Sequence, residues 1–222
     1  MFPVYLKQVG FEPPSDPIYY VVTQDGLFQV KETAAFRSVL RVEGLRWLEA
    51  QQESVSLKLP RVPGELLGRA IGLFREVFRR HRTEAIVLLH YDPCAAHYTL
   101  SVPEQYVAGG HLTYTIGPTP HGLLRVGTIH SHAAAEAFHS DLDDWDERHD
   151  DGVHITVGRL DGPVSLSCSL VVDGRRFSLP ARDLFTAIPR EGESEVWWDA
   201  LVHIHAEPPP RDAAVDGRPS GI

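Results

Sequence analysis

Cysteine is almost missing from this chain. The two present, Cys94 and Cys168, are too few for a disulfide framework or a four-thiolate zinc site. Positive charge is also short: 21 Lys and Arg stand against 30 Asp and Glu, a formal net charge of −9. Phosphate contacts need clustered cations, so no nucleic-acid partner is expected. The acidic balance otherwise reports solubility and points to no particular partner. No run approaches the roughly 18 consecutive apolar residues of a membrane span. The start, MFPVYLKQVGFEPP, lacks a basic n-region followed by a long apolar run, so it does not read as a signal peptide. These absences set the expectation of a soluble, cytoplasmic protein with no membrane partner. What remains is ordinary for a globular chain: 43% hydrophobic and 23% charged residues over 222 positions. That length buries one good core, as one domain or a domain with an appendage.

The first stretch reads as β-rich. IYYVVTQDGLFQV (18–30) holds two apolar runs around Gln24-Asp25-Gly26, a hairpin signal. FRSVLRV (36–42) and SVSLKL (54–59) read as further short strands, with a helical reading open for LRWLEAQ between them. Pro63-Gly64 then opens the clearest helix, 64–82, in which Leu67, Ile71, Phe74 and Phe78 share one face. AIVLLHY (85–91) follows as a largely buried strand. HYTLSVPEQ (97–105) and HLTYTI (111–116) read as strands joined through Gly109-Gly110, and LLRVGTIHSH (123–132) as another. After a short helix, VHITVG (153–158), VSLSCSLVV (164–172) and RRFSL (175–179) form an antiparallel meander with turns at Asp161-Gly162 and Asp173-Gly174. The order predicts an α/β domain over 63–180, an N-terminal β-rich extension over 1–62, and a C-terminal segment over 181–222. In that segment EVWWDALVHI packs as helix or strand, and the Pro- and Gly-rich end from about 206 reads as disordered.

Chemistry concentrates in GTIHSHAAAEAFHSDLDDWDE (127–147). In a strand, His130 and His132 fall on one face, because side chains alternate with period two. Ser140 and Asp143 follow across a seven-residue loop with the spacing of a helix start, Ser140 as N-cap and Asp143 in the first turn. A helix folded back over the strand end makes Asp143 a candidate third ligand. Two imidazoles and a carboxylate leave one position for water, the pattern of a catalytic zinc rather than a structural one. Such a metal acidifies its water and polarises a carbonyl, but a base that does not bind it is still needed. Glu84, where the helix ends and the buried strand begins, is the best-placed candidate. Glu104, which follows a proline in a turn, and Glu136 inside the ligand loop compete with it.

His130-Ser131-His132, seven residues, Ser140, two residues and Asp143 together resemble the JAMM (MPN-plus) metalloprotease motif, H-x-H-x7-S-x2-D. The resemblance covers roughly 63–180. It implies the JAMM/MPN fold, a cytidine-deaminase-like mixed β-sheet flanked by helices, and one zinc ion per chain held by His130, His132 and Asp143. It implies Glu84 as acid/base and Ser140 as the group that steadies the tetrahedral oxyanion. AFHSDLDDWDE followed by VHITVGRL is also similar to prokaryotic members encoded beside ubiquitin-like, E1-like and E2-like proteins. The implied reaction is hydrolysis of an amide or isopeptide bond after the extended C-terminal tail of a ubiquitin-like protein, in the setting of an antiviral-defence conjugation operon. The sequence departs from the family in two places. Ala133 stands where many members carry Pro, and Gly152 to Asp161 is too short for the cysteine-containing insertion of some eukaryotic members.

Duller readings exist for each residue. Ser140 and Asp143 alone read as a helix cap, and a single strand histidine as a hydrogen-bonded structural group. His139, His149 and His154 lie near the motif in sequence without an assigned role. His203-Ile204-His205 is a second H-x-H with no following acidic partner and reads as a surface pair. Cys94 in HYDPCAAH reads as a loop or buried thiol rather than a nucleophile, and Trp197-Trp198 as core packing. The alternative functions are a non-catalytic scaffold of the MPN type and a metallohydrolase of small peptides or sulfur-carrier adducts. A DNA-repair role sits poorly with the acidic charge. Oligomeric state is left open.

Overall fold

The computed structural model of the chain describes residues 2–108, 111–139, 147–189 and 197–206. The described residues form a mixed α/β protein that is mostly strands, in two compact units, Met1–Ser54 and Val55–Ile222. The division falls at Ser54 and not after residue 62, because Val55, Leu57, Leu59 and Val62 all pack on the core of the second unit.

The first unit is a four-stranded sheet in the order β1-β2-β3-β4, with β1 Val4–Leu6, β2 Ile18–Thr23, β3 Gly26–Glu32 and β4 Arg37–Arg41. The expected hairpin is present. Thr23 pairs with Gly26 across the two-residue turn Gln24-Asp25. Tyr19, Val21 and Val30 form its small core with Tyr5 and Phe11 packed against them. LRWLEAQ is not a helix: it makes one turn, closed by Leu48 N–H donating to Leu45 O. SVSLKL has no ladder partner and forms no strand, although its alternate apolar residues still find the second core.

The second unit opens with α1, Gly64–His81. Glu65 in its first turn and Arg79, Arg80 and His81 in its last complement the helix dipole. Arg82, in the left-handed region at φ 55°, ends the helix by donating its N–H to Phe78 O. Leu67, Ile71 and Phe74 are fully buried on one face.

The main sheet has six strands in the order β12-β11-β10-β9-β5-β6. These are β5 Ile86–Asp92, β6 His97–Ser101, β9 Leu124–Ser131, β10 Gly152–Gly158, β11 Ser165–Val172 and β12 Arg175–Ser178. Only β9 and β10 run parallel, so the chain between them must cross over rather than turn back. Val87, Leu89, Ile129, Val153, Ile155 and Val157 join the buried face of α1 in one core. Alternation therefore sends Thr128, His130, His154 and Thr156 to the opposite face. The β11–β12 turn has positive φ at both Asp173 (49°) and Gly174 (72°), the conformation a tight two-residue hairpin needs.

HYTLSVPEQ divides at Val102-Pro103. β7 Gln105–Ala108 belongs to a separate three-stranded sheet with β8 His111–Tyr114 and β13 Ile204–His205, in the order β13-β7-β8. After residue 180 the described residues pack on the second unit. They form α2 Ala181–Leu184, bridge Val62 to Phe185, and bury Leu184, Phe185 and Ala200 in the core. EVWWDALVHI ends as a 3-10 turn, Trp198–His203, followed by β13. The disorder expected from about 206 and the helix start expected at Ser140 lie outside the described residues. Among the described residues no helix is long and apolar enough to cross a membrane.

Phe74 is the largest fully buried side chain of the helix–sheet interface. Phe74→Ala is expected to destabilise the second unit by about 3–5 kcal/mol in urea unfolding. A loss below about 1 kcal/mol would mean that α1 is not the cover of this sheet.

Candidate metal centre

β9 and β5 build the site between them. Their antiparallel register sets Ile86 opposite His130, and Glu84 precedes Ile86 by two residues. The pairing continues past the end of β5 through Ser131, which is wholly buried. Its N–H donates to Ala85 O, and Ala85 N–H donates to its Oγ, both at 3.0 Å. On the other side Gln105 grips the next residue: Ile86 N–H donates to Oε1 at 3.0 Å, and Nε2 donates to Ile86 O at 2.8 Å. Ala85-Ile86 is thus clamped from both edges, and half-buried Glu84 is the residue that precedes the clamp.

His130 and His132 are buried, and their Nε2 atoms lie 3.3 Å apart. Two nitrogens bound to one tetrahedral zinc at 2.0–2.1 Å stand about 3.3–3.4 Å from each other, so the pair fits such an ion. Two Nε2 atoms this close cannot both carry protons, so at least one ring presents a lone pair. Thr156 Oγ1 is 3.4 Å from His130 Nε2 and equally far from His139 Nδ1. The Phe138 ring meets His132 edge-on with centroids 4.8 Å apart.

The chain leaves His132 through Ala133, which adopts φ 49°. Proline, fixed near about −65°, cannot take that conformation, so this loop excludes it at position 133. The loop is tied down even so. Leu160 N–H donates to Ala133 O, Arg159 N–H to Ala135 O and Ala137 N–H to Ser165 Oγ. It crosses Gly158 so closely that a Cβ there would lie 2.3 Å from Ala137 N and 2.4 Å from Ala135 O. Ser140 and Asp143, the expected oxyanion group and third ligand, lie outside the described residues. Among the described residues no group of three or more His, Cys, Asp or Glu is arranged to hold a metal.

Sequence reasoning missed Glu147. This buried carboxylate lies on the same face of the sheet as the histidine pair. Its Oε1 is 3.2 Å from His154 Nδ1 and 3.8 Å from His130 Nδ1, while Oε2 accepts from Arg176 Nη2 at 2.5 Å. His154, fully buried, has Nε2 2.8 Å from Asp150 O, to which it donates. Burial pushes the Glu147 carboxyl up, but hydrogen bonding and charge from His154, then Arg176 and His130, outweigh it and hold it below the usual carboxylate range. Two sequence signals were available: Glu147 follows Asp143 by one helical turn, and VHITVG alternates polar with apolar. Thr156 and Arg176 join the site through the same alternation on neighbouring strands.

The competing residues are placed elsewhere. Glu136 is exposed and faces Arg159 at 3.4 Å. Glu104 lies between His203 Nδ1 (2.6 Å) and His205 Nε2 (2.5 Å), so the second H-x-H does have an acidic partner, supplied by topology. His149 is exposed. Cys94 is exposed in the β5–β6 turn, where Asp92 Oδ1 accepts from its N–H, and burial pushes the Cys168 thiol up to about 12. Trp197 packs on the core under Arg69, 4.6 Å from its ring centre.

Removing the Ser131 hydroxyl leaves a buried N–H without its acceptor. Ser131→Ala is expected to cost about 1–3 kcal/mol and to speed amide exchange at Ala85 selectively. Unchanged exchange there would show that the clamp is not held by Oγ. The Glu104 carboxyl sits below its ordinary value because His203 and His205 hydrogen-bond to it. A depressed pKa gives stability that is present above the unfolded value and lost as pH falls through the folded one. Acidification below the usual carboxylate range is therefore expected to loosen β13 from β7, read as faster exchange at Gln105 and Tyr106. Glu104→Gln should flatten that dependence.

No protein-family model matches this chain and no curated protein matches it, so the centre is defined by its own residues and their geometry.

Proposed function

We propose that the chain is a zinc metallopeptidase of the JAMM type, with the JAMM/MPN fold in its second unit. The observation that carries this reading is the 3.3 Å convergence of His130 and His132 Nε2 at the end of a central strand, with Glu84 two residues before the strand paired to it. Order along the chain supports it too: one amphipathic helix, a buried strand, the histidine strand and a crossover bearing Ser140 and Asp143. His130, His132 and Asp143 would hold the metal. A zinc ion with that donor set supplies an acidified water and a Lewis acid for the scissile carbonyl.

The chain's own groups do the rest. Glu84 takes the proton from the attacking water and passes it to the leaving amine. The Ser140 hydroxyl donates to the oxygen on which negative charge develops. The substrate class is the extended C-terminal tail of a ubiquitin-like protein, joined to its target by an amide or isopeptide bond. Such a tail suits strand addition at a sheet edge. Partners of this chemistry are the E1-like and E2-like enzymes that make the conjugate, in the cytoplasm.

Two measurements test the reading. Elemental analysis is expected to find near-equimolar zinc in the purified protein and little in His132→Ala. Wild type that neither contains zinc nor takes it up would sink the peptidase and favour a scaffold. With a ubiquitin-like fusion as substrate, Glu84→Ala is expected to lower turnover roughly a hundred- to ten-thousand-fold while zinc content is kept. Equal cleavage by the two proteins would remove Glu84 from the mechanism.

A further inference from the structure

We propose that Glu147 is the positioning residue of His130: its carboxylate faces the Nδ1 edge of the ring and so keeps the Nε2 edge turned to His132. The inference rests on the metal reading above, since its purpose is to hold a ligand nitrogen ready. An imidazole has two nitrogens, and only the one without a proton can bind a metal. Which one that is depends on what the other nitrogen faces. Metal-binding histidines usually present the second N–H to a carboxylate or a carbonyl, and removing that partner typically costs ten- to a hundred-fold in affinity.

His130 meets this requirement on both edges. Nε2 lies 3.3 Å from His132 Nε2, and Nδ1 lies 3.8 Å from Glu147 Oε1. At 3.8 Å the contact is one of charge rather than a formed hydrogen bond, and it favours the tautomer with the proton on Nδ1. The carboxylate cannot drift away to solvent. Arg176 on β12 holds Oε2 at 2.5 Å, and His154 on β10 stands 3.2 Å from Oε1. Arg176 is anchored in turn by Nη1 donating to Ser169 Oγ on β11 at 2.5 Å. Residues on β10 and β12 thus hold one carboxylate and β11 anchors the second of them, which a surface ion pair would not need.

A purely structural Glu147 would neutralise Arg176 and do nothing to His130. The distinguishing measurement is the tautomer of His130 by nitrogen-15 NMR in metal-free protein, together with zinc affinity by chelator competition. The proteins are wild type, Glu147→Gln, and Glu147→Gln with Arg176→Met, the last removing both charges so that no cation is stranded. Wild type is expected to hold the proton on Nδ1. Both variants should mix the tautomers and bind zinc ten- to a hundred-fold more weakly. If wild type binds zinc and the folded variants match it in affinity and tautomer, Glu147 is structural only and the inference is overturned. If wild type binds no zinc, the metal reading fails separately. The tautomer still decides the role of Glu147: loss of the Nδ1–H form in the variants supports it, and no change overturns it.

Discussion

The antiparallel pairing of β5 with β9 is the constraint on which the centre depends. It sets the strand that begins two residues after Glu84 alongside the strand that carries both histidines. Ser131, the residue between those histidines, spends its N–H and its hydroxyl on Ala85 and makes the pairing outlast the strand by one more residue. Gln105 closes the opposite edge with a side-chain amide that imitates a neighbouring strand. A shift of one residue in this pairing would exchange the faces that β5 turns to the core and to the histidine strand's polar side. Side-chain hydrogen bonds at this point therefore fix geometry more than they add stability.

The rest of the sheet follows from that pair. One face is apolar and receives α1; the other collects histidine, threonine and serine from adjacent strands. Buried polar groups are tolerated only where each finds a partner. The row from Thr128 through His154 to Glu147 and Arg176 meets that condition by linking three strands. The same linkage supplies the positioning proposed for His130.

Much of this was legible in the sequence, for physical reasons that can be named. The 3.6-residue spacing of Leu67, Ile71, Phe74 and Phe78 marked α1, and period two in IHSH put His130 and His132 on one face. Gln24-Asp25 and Asp173-Gly174 gave their hairpins, because local backbone preference alone decides a two-residue turn. What escaped was decided at long range. SVSLKL alternates like a strand but has no neighbour to pair with. Glu104 reads as a turn residue until β13 brings His203 and His205 to it, and Glu147 is one acid among several until Arg176 arrives from β12. No spacing rule reaches across those separations.

The parallel pairing of β9 with β10 also orders events in time. A chain emerging from the ribosome presents Glu84, His130 and His132 well before the strands that brace them. β10 can dock only after the whole crossover has been made, and Arg176 comes later still, on the last strand of the sheet. Until then Glu147 would be an acid with no counter-charge on a half-built sheet, and the histidine pair would lack its backing. The groups that back the histidine pair thus all follow it along the chain, and the sheet that houses it is complete only with its last strand.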